Sequence, residues 1–171
     1  MQLHHSLRAA LFAAHPDLAR DPDRLAVFLD KGKLAVRVGD AGGERGIRGF
    51  EYRYRMIAIL TDFAGNPNAV FIATLLWIAQ HQPELLLNHG TGKEAVSFDA
   101  VILDDKRADL SIEFDVAEPV QLQPRPGGGY DVAYPPAAPI EHGLGGGFPI
   151  GAGLGEIYAG GELILAAAPQ A

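Results

Sequence analysis

The sequence predicts an α+β fold: a mainly antiparallel sheet covered by one long and one short helix, followed by a Pro/Gly-rich arm and a C-terminal β-hairpin. Three observations carry that expectation. Phe50 to Thr61 alternates, with Phe50, Tyr52, Tyr54, Met56 and Ala58 on one face and Glu51, Arg53 and Arg55 on the other, the period of a half-buried strand. Ala95–Leu103 and Asp109–Glu118 form two alternating runs around a polar turn at Asp104–Arg107, a clear hairpin signal. Between them, Val70, Phe71, Thr74, Trp77 and Ile78 recur at helical spacing from an Asn66-Pro67 start to about Gln80.

The remaining elements follow from the same rules. Leu3, Leu7, Ala10, Leu11 and Ala14 form a short amphipathic helix that Pro16 stops. Asp21-Pro22 is a cap with proline at the first helical position, which starts a further turn. Val27–Asp30 and Leu34–Val38 read as a hairpin about Lys31-Gly32, and Gly39–Gly49 as a loop. In the strand from Phe50 both faces turn apolar at Ile57, Ile59 and Leu60, as in the middle of a sheet. Pro83 ends or kinks the long helix. Glu156–Leu165 carries two short apolar runs around Gly160-Gly161, a two-residue hairpin loop.

Composition shifts near Glu118. Residues 119–149 hold seven Pro and seven Gly in 31 positions, too few side chains to build a core, so the segment reads as an extended arm. The expected division is a domain at 1–118, an arm at 119–155 and a terminal hairpin and tail at 156–171. The 171 residues amount to about one domain.

A formal charge of −7 argues against nucleic-acid binding, because phosphate neutralisation requires clustered Lys and Arg. The absence of cysteine removes disulfides, thiolate metal sites and cysteine nucleophiles. The N-terminal stretch lacks the apolar core of a secretion signal, and the most apolar run, Ala69–Ala79, falls far short of the ~20 residues that cross a bilayer. These features predict a soluble protein made in the cytoplasm, with no membrane partner.

Chemical motifs fail their context. Gly90-Thr91-Gly92-Lys93 resembles the end of a phosphate loop, but Leu87 and Glu94 stand where Gly and Ser/Thr are needed, and a strand follows. His4 and His5 diverge by about 100° on a helix, and the other four histidines show no metal-ligand spacing. Asp109, Glu113 and Asp115 fit a solvated strand face, with Arg53 and Arg55 as cross-strand partners, better than a catalytic pair. Trp77 fits a core position. No catalytic residue, cofactor or metal ligand is therefore expected.

The order of these segments resembles the phage tail completion protein R family (GpR type) of temperate contractile-tailed phages. The residues that carry it are Ser6-Leu7-Arg8, Ala10-Leu11, Leu25, Val27-Phe28, Asp30 and Gly32. Phe50-Glu51, Arg53-Tyr54, Thr61-Asp62-Phe63, Gly65, Trp77 and Gln82-Pro83-Glu84-Leu85 are the most specific part. Asp109-Leu110-Ser111-Ile112, Ile157-Tyr158 and Gly161-Glu162-Leu163 complete it. The arm departs from that pattern in its Gly and Pro content. The resemblance implies a structural protein of the virion tail without catalytic residues or a cofactor. It would be added at the head-proximal end, so that the tail joins a filled head, with other tail and neck proteins as partners. By analogy with tail terminators it implies a homo-oligomeric ring, six copies being one possibility. Ile157, Tyr158, Leu163 and Ile164 of the terminal hairpin are the candidate partner-interface residues. The rival readings are a small cytoplasmic hydrolase, which requires a deep pocket of titratable groups, and a peptide- or ligand-binding module.

Overall fold

The structure, a computed structural model, describes residues 2–41, 44–87, 94–135 and 157–165. Helix α1 (Leu3–Ala14) is followed by a short α2 (Pro16–Arg20) and a single 3-10 turn (Pro22–Arg24). Two long strands, β1 (Leu25–Ala41) and β2 (Glu44–Phe63), precede α3 (Pro67–His81) and the short α4 (Pro83–Leu87). Strands β3 (Val96–Ile102), β4 (Ala108–Pro124) and β5 (Tyr130–Ala133) complete the main sheet, and β6 (Ile157–Ala159) with β7 (Glu162–Leu165) forms a separate hairpin. The sheet order is β1-β2-β4-β3, antiparallel throughout, with β5 pairing the distal part of β4.

Alternation decides which face is buried. Leu25, Tyr54, Met56, Ala58, Leu60, Leu110, Ile112, Phe114 and Val116 point to one side, where Leu7 and Leu11 of α1 and Val70, Trp77 and Ile78 of α3 close over them. The other side carries Arg55, Glu113 and Asp115. Helix α3 starts where expected: Asn66 Oδ1 accepts from the Asn68 N–H at 2.9 Å, and Pro67 occupies the first turn, where its missing N–H is no loss. Pro16 ends α1 and at once opens α2, and Pro83 does the same between α3 and α4.

Two expectations are corrected. Lys31-Gly32 is not a hairpin turn; β1 runs straight through it to Ala41 and pairs with β2 along its length. Lys31 adopts φ 53° and the register slips between Asp30 and Lys33, so the dipeptide forms a bulge that bends the strand rather than reversing it. Residues 39–41 and 44–49 are likewise strand, not loop, because Val38 finds Ile47 opposite and Asp40 finds Arg45. Glycine density misled here: a bulge and a turn use the same residues.

The composition shift at Glu118 falls inside β4, which continues to Pro124. Along the edge of β4 away from β2, β3 covers Ala108–Phe114 and β5 covers Gln121–Pro124. In the gap, Gln82 stands in for a strand. Its Oε1 accepts from the Ala117 N–H at 2.9 Å, and its Nε2 donates to the Ala117 carbonyl at 2.8 Å. Pro119, two residues on, turns its ring nitrogen to the same unpaired edge, so no ladder bond is lost.

Candidate interaction surface

The terminal hairpin forms as expected around Gly160 and Gly161, both at positive φ (60° and 86°), the turn that matches strand twist. Tyr158 and Leu163 are exposed and Ile164 is half-buried. Strand β7 runs beside α3, at Cα separations of 8 Å or less. The four candidate residues thus share one small hairpin that lies next to the helix carrying Trp77.

Trp77 is a core residue, 3% exposed. Its Nε1 donates to Ser6 Oγ at 3.0 Å, its ring stacks on His81 at 4.6 Å, and His81 Nδ1 meets the Trp77 carbonyl at 2.9 Å. Ser6 Oγ also meets His81 Nε2 at 3.3 Å. This is a Ser–His contact, but it sits at the α1–α3 seam and ties two helices together. Nearby, Glu118 is buried: it accepts from the Tyr54 hydroxyl at 3.0 Å and from the Gln2 N–H at 2.7 Å. Burial, and then the Glu118 carboxyl, push the Tyr54 phenol well above its ordinary range.

The strand carboxylates divide. Arg55 reaches Asp115 at 3.2 Å and Glu113 at 3.6 Å, the cross-strand pairing expected, and these partners hold its guanidinium charged. Arg53 lies opposite Ala117 and bonds Glu51 on its own strand instead. Asp109 Oδ1 accepts from the Asp62 N–H at 2.8 Å. The rings of His4 and His5 lie 3.9 Å apart, closer than their helical divergence suggests. His15 is edge-on to Phe63, and burial lowers its pKa. Among the described residues no group of three His, Asp or Glu converges as metal ligands. Gly90–Lys93 and His89 lie outside the described residues. One depression, about 740 Å³, is an open groove lined by Lys31, Lys33, Arg53 and Arg55 against Glu84 and Asp115, four positive side chains to two negative.

The surface that sequence reading missed lies beyond the helices. Past the Lys31-Gly32 bulge, β1, β2, β4 and β5 extend as a blade. Directly opposed residues of an antiparallel pair share a face. By register, Leu34 with Tyr52, Val36 with Phe50 and Val38 with Ile47 therefore lie together. Val120 opposes Phe50, Val132 opposes Leu122 and Tyr130 opposes Pro124, continuing the same face across β4 and β5. The back of the blade is charged, with Arg37 bonded to Glu51 and Arg125 to Asp131. Leu34, Val36, Val38, Ile47, Tyr130 and Val132 are each more than half exposed. Contiguous apolar exposure of this kind marks contact sites. The alternation of Leu34, Val36 and Val38 was the available signal, hidden by splitting β1 in two.

Residues 1–139 match the family model described as P2 phage tail completion protein R (GpR). The chain belongs to that family. Tail completion protein R of Escherichia phage P2 is 32% identical over 113 residues, which span 66% of this chain and 69% of that protein. No solved structure matches the chain. Membership makes this a structural phage tail completion protein rather than an enzyme, a component of the virion tail that contacts other tail proteins. Among the described residues no helix is long and apolar enough to cross a membrane.

Proposed function

We propose that the protein completes the tail at its head-proximal end, capping tube and sheath so that a filled head can join, and that it does so as a ring of copies assembled in the host cytoplasm. The observation that carries this reading is the blade. A sheet with one apolar face requires a second layer, and among the described residues none covers Leu34, Val36 and Val38. An exposed layer of this kind suits docking between proteins, where a fully buried core and a polar rim are the usual anatomy. The terminal hairpin, with Ile157, Tyr158, Leu163 and Ile164, supplies a second contact by adding strands to an edge of a neighbouring protein.

A phage carrying a deletion of this gene tests the reading. Filled heads and separate tails should accumulate side by side in electron micrographs, and the purified protein added to that lysate should restore infectious particles. Joined particles in the deletion lysate, or tails arrested at the baseplate end, would overturn the head-proximal assignment while leaving family membership intact.

A further inference from the structure

We infer that the apolar face of the blade docks on a second copy of this chain, head to tail, and that its receptor is the apolar patch at the opposite end of the sheet, on α3 and β3. The inference rests on the tail-completion reading and adds to it the contacting surfaces and their polarity.

Four observations lead there. First, size: the six blade residues, each more than half exposed, present on the order of 600 Å² of accessible surface, most of the ~800 Å² per partner of a standard interface. Half-buried Phe50, Tyr52 and Leu122 lie among them. Second, the receptor: on α3 and β3, Leu75, Phe98 and Ile102 are exposed, Phe98 at 58% and Ile102 at 73%. Phe71 packs on Phe98 at 4.9 Å, and with Leu75, Leu86 and Val96 they line an apolar hollow of about 230 Å³. Third, placement: β5 pairs Gln121–Pro124 of β4 whereas β3 pairs Ala108–Phe114, so the blade and the receptor sit at opposite ends of the sheet along its strands. One patch at each end, unlike in shape, is what a heterologous contact needs. Such contacts close into rings when the rotation allows. Fourth, charge: a chain of net charge −7 should repel its own copies. Neither patch carries formal charge except Asp40 opposite Arg45 at the blade tip, a pair of opposite signs. Like copies can therefore meet there without burying an unpaired charge.

The test uses two full-length variants, Val36→Glu on the blade and Ile102→Glu on β3, compared with wild type by sedimentation velocity and thermal melting. Wild type is expected to assemble in the micromolar range. Each variant alone is expected to sediment as a monomer with an unchanged melting temperature, because both side chains are exposed. An equimolar mixture is expected to give a dimer and nothing larger: the intact blade of the Ile102→Glu chain fits the intact receptor of the Val36→Glu chain. Variants that assemble like wild type overturn the inference, as does a mixture that stays monomeric; an Ile102→Glu chain that still pairs on its own would mean blade packs on blade and overturns it too. A lowered melting temperature for Val36→Glu would show that the same chain covers its own blade, and also overturns it. If wild type is monomeric yet Val36→Glu abolishes tail completion in a deletion lysate, the blade meets a different tail protein. The inference then fails while the tail-completion reading stands.

Discussion

The Tyr54 hydroxyl on β2 donates to Glu118 Oε2 on β4 at 3.0 Å, inside a site where Tyr54 is 4% and Glu118 5% exposed. The second oxygen of the same carboxyl accepts from the Gln2 N–H, fastening the start of α1 to the sheet. This junction marks where the helix-covered core ends and the bare blade begins. A buried acceptor with two donors is stable only while complete, because a stranded donor forfeits its hydration. Tyr54→Phe is expected to cost about 1–3 kcal/mol, and Glu118→Leu at least as much, since it strands two donors. Urea denaturation measures both. Wild-type midpoints for the pair would mean that water replaces the bonds without loss.

Trp77 combines burial with one directed bond. Truncation to Ala is expected to cost about 3–5 kcal/mol, the usual range for a large buried aromatic. Ser6→Ala leaves the indole N–H without its acceptor and is expected to cost only about 1 kcal/mol. A calorimetric melt that ranks Ser6→Ala above Trp77→Ala would mean that the α1–α3 seam is held by its polar contacts rather than by packing.

Asp109 and Glu113 alternate on one strand and read alike in sequence, yet their bonds differ. Asp109 Oδ1 holds the N–H of Asp62, a non-glycine residue at φ 53°, whereas the Glu113 carboxylate meets the half-exposed Arg55. Asp109→Ala is expected to lose about 1 kcal/mol, and Glu113→Ala less than ~0.5 kcal/mol. Neither should impair tail joining when folded protein is added to a deletion lysate. Loss of joining with either variant would point to chemistry that membership in a structural family does not include.

What the sequence disclosed was what short-range periodicity controls. The stripe through Val70, Thr74, Trp77 and Ile78, the alternation from Phe50, and the pair Ala95–Leu103 with Asp109–Glu118 each specify their element, because one buried face fixes the register. Lys31-Gly32 and Gly39–Gly49 misled because glycine marks turns and bulges alike, and only a partner strand decides between them. That partner is β2, whose residues 47–52 lie opposite Leu34–Val38. The blade face was hidden for the same reason, since it is built from cross-strand neighbours far apart in the chain. Gln82 filling the gap beside Ala117 could not be read at all: nothing local links residues 35 positions apart.

His15 sets a pH dependence. Burial lowers its pKa from the ordinary 6.5, outweighing a backbone contact at Ala69 and the Asp17 charge, which act the other way. The unfolded chain therefore takes up a proton before the folded chain does. Stability is complete above the ordinary value and falls as pH drops through about 6.5 toward the carboxylate range near 4. Histidine is the one unperturbed side chain to change charge in that window. His15→Phe is expected to flatten the dependence of the melting temperature between about pH 6.5 and 5. His4, lowered by burial and by its neighbour His5, supplies a second contribution. A His15→Phe profile parallel to wild type would assign the whole slope to other groups.

The terminal hairpin has a seat on its own chain, because β7 runs beside α3, yet Tyr158 and Leu163 remain exposed there. An isolated two-stranded hairpin is at best marginally stable in water, so β6–β7 needs a surface to rest on. Its strands are only three and four residues long, too short to stabilise α3 much in return. Deleting residues 150–171 is therefore expected to leave the melting temperature of the monomer within a few degrees of wild type, since a loss below ~1 kcal/mol moves a domain of this size by no more. The same deletion is expected to reduce assembly and tail completion sharply. A truncated monomer that unfolds or precipitates would show instead that the hairpin belongs to its own core. A truncated protein that still assembles would remove Ile157, Tyr158, Leu163 and Ile164 from the interface.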